Sequence, residues 1–240
     1  MERRRLSRGD AAFMIGVPLA WAVLLLFHPS GEGDQVYLDV QDEVAEMLAV
    51  HVGMMLFIPL IAVAVYLLLR GVQGTAAQIS RIALVPFVVF FSAWETLQGI
   101  ATGILAAELN GRPENERATG AALIQDFAEH PLARDLGVFA SIGTLAILIA
   151  MIAAGIALRR DAGAPLSVAI LLGLFGFLIG AHPPPFGPIA LLCFAAAVVL
   201  FWRSQGGGLA ARSPEPAQVG VEETTRIQGG GTGTIRSSSA

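Results

Sequence analysis

Apolar residues occur in six long stretches along this chain, separated by shorter polar segments. The stretches cover residues 11–27, 45–69, 82–106, 136–158, 166–181 and 188–202. A helix needs about 20 apolar residues to cross a hydrocarbon layer about 30 Å thick, and the shorter stretches approach this length with their flanking residues. The pattern therefore predicts an all-α fold, a polytopic transmembrane helical bundle with six spans in residues 1–203.

Three segments outside the central spans need separate interpretation. The first stretch is long for a signal-peptide core and no small-x-small cleavage site precedes His28, so we interpret it as an uncleaved span. Residues 119–129 place their large apolar side chains on one side at helical spacing, which predicts a short helix that lies on the membrane surface or caps the bundle. Residues 204–240 are rich in Gly, Ser, Thr and Pro, which predicts a disordered cytoplasmic tail.

Arginine placement predicts the orientation of the bundle. Cytoplasmic segments next to spans carry an excess of positive residues. Both termini and two of the five connections share one side in a six-span arrangement, and that side holds most of the arginines: Arg3, Arg4, Arg5, Arg8, Arg70, Arg81, Arg159, Arg160, Arg203 and Arg212. The prediction is that both termini are cytoplasmic. Because lysine is absent and Ala and Gly are abundant, we expect a bacterial plasma membrane.

The overall composition agrees with residence in a membrane and limits the kinds of partner that the protein is expected to bind. Charged residues make up 14% of the chain and hydrophobic residues 55%, whereas soluble domains are about a quarter charged. The net charge is −4 and there is no concentrated basic patch, so we expect the lipid bilayer and no nucleic acid as partner. The single cysteine, Cys193, excludes a disulfide framework.

Glu95 is the one acidic residue deep within a predicted span. A carboxylate near the bilayer centre is costly, so it should face the bundle interior. Ser92, Gln98 and Thr102 share a helical stripe with it, which predicts an intramembrane polar site that accepts protons or coordinates a cation. The alternative is a hydrogen bond between helices that only fixes their packing.

Three of the four histidines lie in the three outer connections, and each precedes a proline. These are His28, His130 and His182. Imidazole is a common metal ligand, so three histidines from three hairpins predict a metal site above the bundle. The alternative for His28 and His182 is structural, since a helix C-terminus favours a cation and proline ends a helix.

His51 suggests a second candidate metal set inside span two. Met47, His51, Met54 and Met55 share one broad helical face. Imidazole with thioether suits copper or the axial ligation of a haem iron. The alternative is that the methionines are ordinary core residues and His51 is hydrated.

Small residues at helical spacing predict where helices approach closely. Gly99 and Gly103 form one Gly-x-x-x-Gly pair, and Gly176 and Gly180 form another. Such faces pack helices within a chain or between chains, so a homo-oligomer through either pair is also predicted.

Motifs of soluble enzyme chemistry are missing from the sequence. There is no His-Glu-x-x-His, Gly-x-Ser-x-Gly or phosphate-binding glycine loop. We therefore name no catalytic residue and consider an enzyme less favoured. Because all four histidines lie toward the outer side, transmembrane electron transfer between two haems is disfavoured as well.

The run from His51-Val-Gly-Met-Met through Tyr66 and Arg70-Gly71 to Glu95…Gly99-Ile-Ala-Thr-Gly103 resembles a pattern in uncharacterised actinobacterial multi-pass membrane proteins. The resemblance covers spans two and three, implies no activity, and implies that His51 and Glu95 belong to one site.

The leading functional hypothesis is a protein that handles a small solute or ion through a polar site on spans two and three, open to the outer face. One alternative is a structural or partner-binding membrane protein. The other is a metal- or haem-binding protein, or an enzyme, that uses the outer histidines.

Overall fold

A computed structural model describes residues 6–29 and 35–207, and every regular element in these ranges is helical. Eight helices follow in chain order: α1 (Arg8–Leu25), α2 (Val36–Val40), α3 (Val44–Leu68), α4 (Thr75–Asn110), α5 (Glu114–Ala128), α6 (Val138–Ala162), α7 (Leu166–Leu178) and α8 (Phe186–Trp202). The predicted all-α fold is thus confirmed. Most of the predicted tail, residues 208–240, lies outside the described ranges.

Within residues 6–29 and 35–207, five helices are long and apolar enough to cross a membrane: α1, α3, α4, α6 and α8 with its extension to Gly206. Large aliphatic side chains point outward from them, for example Val52, Leu56 and Leu145, each more than half exposed. Such a surface suits lipid rather than water. The chain is therefore a helical membrane protein. Helix α7, with a 3₁₀ turn at Ile179–Ala181, is shorter.

Glycines bring neighbouring helices into close contact within the chain. A Cβ at Gly103 would lie 2.8 Å from the side chain of Leu48 on α3. Gly176 on α7 and Gly180 in the 3₁₀ turn after it lie against Met151 and Thr144 of α6 in the same way. Helix α7 therefore runs antiparallel to α6 along most of its length. The predicted homo-oligomer through these glycine pairs stays a prediction.

Helix α4 departs from regular α-helical geometry twice. A π-helical turn covers Phe87–Phe91 and another covers Thr96–Ala101. The first follows Pro86, whose ring supplies no N–H to the helical ladder. Each wide turn changes the direction of the side chains beyond it, and π-turns occur frequently at functional sites. Glu95 lies in the short α-helical segment between the two turns.

Helices α2 and α5 form a cap at the end of the bundle where α3 begins. Tyr37, on α2, donates from its hydroxyl to Asn110 Oδ1 at 2.7 Å, and Val36 N donates to Gln125 Oε1 on α5 at 3.0 Å. Apolar side chains beneath the cap form a separate small cluster, made of Tyr37, Val40, Met47, Ala106, Leu109 and Ile124. The helix predicted at residues 119–129 is present and begins earlier, at Glu114.

Candidate metal centre

Three histidines from distant parts of the chain converge at the capped end of the bundle. His28 follows α1, His51 lies on α3, and His182 follows the 3₁₀ turn after α7. One ring nitrogen from each lies within 4.8 Å of the others. The carboxyl group of Glu95 reaches the same point from α4. Four separate segments therefore meet in one polar cluster.

Local backbone features explain why the side chains approach so closely. Helix α1 ends at Leu25 and Pro29 follows His28, while the tight turn after α7 brings His182 beside α8. Gly187 faces the His182 carbonyl oxygen so closely that a Cβ there would overlap it. Gly99 likewise leaves room for the His51 ring, since a Cβ would lie 1.8 Å from His51 Cδ2. Both positions therefore require glycine because a side chain would clash with the neighbouring residue, and not because of the backbone conformation.

The donor atoms are spaced like neighbouring ligands of one ion. His28 Nε2 and His182 Nε2 are 3.1 Å apart. Glu95 Oε2 lies 3.6 Å from His51 Nε2, and Glu95 Oε1 lies 3.5 Å from His182 Nδ1. Two ligands about 2.1 Å from a tetrahedral ion lie about 3.4 Å from each other. The His28 Nε2–His182 Nε2 and Glu95 Oε2–His51 Nε2 distances are close to this spacing. An imidazole binds an ion through one nitrogen, so with His182 Nε2 as the ligand its Nδ1 faces Glu95 Oε1 as an orienting donor and not as a second ligand.

Backbone carbonyls orient two of the imidazole rings. His28 Nδ1 is 2.7 Å from Pro29 O, and His51 Nδ1 is 2.7 Å from Met47 O. A carbonyl only accepts, so each Nδ1 carries the proton and donates it. Nε2 of both rings is then the unprotonated nitrogen, with its lone pair directed into the cluster. Metal-bound histidines commonly show this arrangement, in which the second ring nitrogen donates to a carbonyl.

The cluster also contains polar atoms that lack partners. Within the described residues, both carboxyl oxygens of Glu95 and the Nδ1 atom of His182 have no hydrogen-bond partner. Both side chains are nonetheless buried, since Glu95 is 1% exposed and His182 is 6% exposed. Burying a polar group without a hydrogen bond costs about 1–3 kcal/mol. A cation beside His51 Nε2 would be bound by Glu95 Oε2, and Glu95 Oε1 would then accept from His182 Nδ1.

Electrostatics keeps the two histidines beyond the helix ends neutral. Burial lowers the pKa of His28, and the Pro29 hydrogen bond and the negative charge of Asp135 only partly oppose it. Burial lowers the pKa of His182 well below its ordinary value, and the neighbouring His28 and His51 lower it further. Neutral imidazole is the form that binds metal.

Aromatic side chains of α4 enclose His182. The centroid of the Trp94 ring lies 5.2 Å from that of His182, and the centroid of the Phe91 ring lies 6.2 Å away, both edge-on. Apolar walls lower the local dielectric constant and so strengthen the attraction between a cation and the Glu95 carboxylate.

The two predicted metal sets each contribute to the cluster. His28 and His182 come from the outer set, and His51 comes from the set on span two. His130 does not join them: it is exposed, and its Nδ1 accepts from Leu132 N at 3.3 Å. Met47 contributes its carbonyl oxygen to the orientation of His51, and Met55 Sδ accepts from Thr96 Oγ1 at 3.5 Å. Met54 is fully buried in the apolar core.

The predicted polar stripe on span three is divided by the π-turns. Glu95 reaches the histidines, whereas Gln98 donates to Ala128 O and Ala133 O, both at 2.9 Å. Thr102 donates to Leu97 O in its own helix, and the Ser92 carbonyl oxygen accepts from Thr96. Gln98 therefore joins α4 to the segment after α5, a structural role that its position in the stripe did not indicate.

Comparisons with protein-family models, with curated proteins and with solved structures found no match to this chain. Fold and site together define the class: an α-helical membrane protein with a buried cluster of three histidines and one carboxyl group.

Proposed function

We propose that this protein binds one transition-metal ion of the zinc class through His28, His51 and His182, with Glu95 supplying the negative charge. The observation that carries the proposal is the convergence of three ring nitrogens within 4.8 Å beside a buried carboxyl group without hydrogen-bond partners. Imidazole and carboxylate are typical zinc ligands. In this proposal Glu95 coordinates a cation, as the sequence hypothesis for its polar site suggested.

The donor set favours a bare ion of the zinc class over haem or a thioether copper site. A haem iron holds its two axial ligands on opposite faces of a porphyrin. The Nε2 atoms of His28 and His182 are only 3.1 Å apart, which leaves no room for a porphyrin between them. Copper(I) prefers methionine sulfur, but Met55 Sδ accepts from Thr96 Oγ1 and Met54 packs in the apolar core.

The proposal includes the membrane topology. Helix α7 with its 3₁₀ turn forms a sixth span, both termini are cytoplasmic, and the membrane is the bacterial plasma membrane. The antiparallel packing of α7 on α6 supports a crossing, and Arg70, Arg159 and Arg160 lie at the end opposite the histidines. The metal centre then lies at the outer side.

Metal analysis of the purified full-length chain tests this function. The protein in detergent is loaded with Zn²⁺, freed of unbound metal and analysed by plasma mass spectrometry, alongside His182→Ala and the control His130→Ala. We expect one equivalent in the wild type and in His130→Ala, and far less in His182→Ala. Equal retention by all three proteins would contradict the proposal.

A further inference from the structure

An apolar groove lies between α3 and α4, far from the histidines. Tyr66, on its wall, is 15 residues beyond His51 on the same helix, a distance of about 22 Å along the axis. The groove has a volume of about 390 Å³ and is lined by Ala62, Val63, Tyr66, Arg81, Leu84, Val85, Val88 and Val89. Apart from Tyr66 and Arg81 its walls are wholly aliphatic.

The groove faces outward from the bundle toward lipid. Val63 is 46% exposed, Val85 64% and Val89 56%, although all three lie on helices long enough to span a membrane. The first π-turn of α4, Phe87–Phe91, includes Val88 and Val89 and alters the helix at this wall. An aliphatic recess on a lipid-facing surface matches a hydrocarbon chain in polarity.

Arg81 provides a fixed positive charge at the end of the groove nearer Thr75. Its Nη2 donates to Leu69 O at 2.7 Å and to Val72 O at 2.8 Å, and its guanidinium carbon is 5.9 Å from the Tyr66 ring centroid. These contacts hold the side chain in place. In the described part of the chain its hydrogen bonds use Nη2, which leaves the donors on Nε and Nη1 for another acceptor. Arg70, which is exposed, follows α3 at the same end.

We propose that this groove binds an anionic phospholipid, with one acyl chain between α3 and α4 and the phosphate on Arg81. Guanidinium groups bind phosphate oxygens through paired N–H donors, and a guanidinium already held by the protein loses little freedom on binding. The proposed topology places this end at the cytoplasmic side, where anionic lipids attract arginine. The lipid site is separate from the metal centre and does not require a bound metal, but it rests on the membrane topology proposed above.

Native mass spectrometry of the full chain tests the proposal with two lipids of equal chain length, phosphatidylglycerol and phosphatidylcholine. We expect one phosphatidylglycerol to be retained over phosphatidylcholine, with a preference of roughly fivefold for each arginine engaged. Arg81→Gln should remove that preference. Equal retention of both lipids by the wild type, or retention of neither, would overturn the proposal.

Because Arg81 also bonds to the end of α3, its replacement affects folding as well as lipid binding. Val85→Trp provides the second test, since it fills the groove and leaves the arginine contacts in place. The control is Ile104→Trp, an equally bulky change at a lipid-facing position of α4 outside the groove. Val85→Trp should lose the bound lipid and Ile104→Trp should keep it. If Val85→Trp retains phosphatidylglycerol like the wild type, the groove is not the site.

Discussion

Glu95 Oε2 lies 3.6 Å from His51 Nε2, although the two residues belong to different spanning helices. Each is buried, and the contact is longer than a hydrogen bond. Gly99, one helical turn after Glu95, makes room for the imidazole ring. This relationship connects α3 and α4 at the centre of the proposed metal site.

Replacing His51 should abolish high-affinity metal binding while the chain still folds. His51→Ala removes one of three nitrogen ligands, and losing even an outer-shell partner lowers metal affinity about 10- to 100-fold. We therefore expect a loss of more than about 100-fold, measured by competition with a chromophoric chelator. His130→Ala is the matched control and should bind like the wild type. If His51→Ala and His130→Ala lose metal affinity to a similar extent, the metal binds to histidines nonspecifically and the proposal is wrong.

Replacing the charge of Glu95 should weaken metal binding without unfolding the protein. Glu95→Gln keeps the size of the side chain and removes the negative charge that compensates a dication. We expect an affinity loss in the range of about 10- to 100-fold with normal helix content by circular dichroism. If Glu95→Gln binds metal normally and Glu95→Leu fails to fold, Glu95 serves packing alone.

A methyl group at Gly99 should displace His51. The Cβ of Gly99→Ala would lie 1.8 Å from His51 Cδ2, so the ring must leave its position. We expect a reduction in metal affinity comparable to that of Glu95→Gln. Gly173→Ala is the control, because a Cβ there has no atom within 4 Å, apart from its immediate neighbours. If Gly99→Ala binds metal as tightly as Gly173→Ala, His51 is not a ligand.

Replacing Gln98 should loosen the segment after α5 more than the metal centre. Gln98→Leu removes the donors to Ala128 O and Ala133 O, and both residues are buried. Leaving buried carbonyl groups without partners costs about 1–3 kcal/mol each. Amide hydrogen exchange in residues 124–137 should accelerate, while metal affinity falls less than in Glu95→Gln. Unchanged exchange would show that other contacts hold this segment.

Much of the fold follows from local sequence features. Span positions depend on the length of apolar stretches, and their predicted ends lie close to the observed ends: residues 45–69 against Val44–Leu68, for example. His28 and His182 were also suggested locally, since His-Pro steps mark helix ends. The local pattern does not show which residues lie beside His28 and His182 in the folded chain.

The composition of the cluster depends on features that a regular helical pattern does not reveal. The π-turns of α4 change which side chains share a face, so Gln98 points to residues 128–133 instead of joining Glu95. His130 has the same His-Pro signal as His28, yet the turn after α5 leaves it exposed. Gly99, four residues after Glu95, was the available signal for close approach by a neighbouring ring.

His28, His51 and His182 are proposed to bind one ion together. X-ray absorption at the zinc edge, on full-length protein carrying one equivalent of Zn²⁺, tests it most directly. We expect a four-coordinate shell of nitrogen and oxygen at about 2.0–2.1 Å, with outer-shell scattering from three imidazole rings. In His51→Ala, the zinc that still binds weakly at the high protein concentration of this experiment should show two imidazoles. A shell of water and carboxylate oxygens in the wild type, with no imidazole contribution, would contradict the claim.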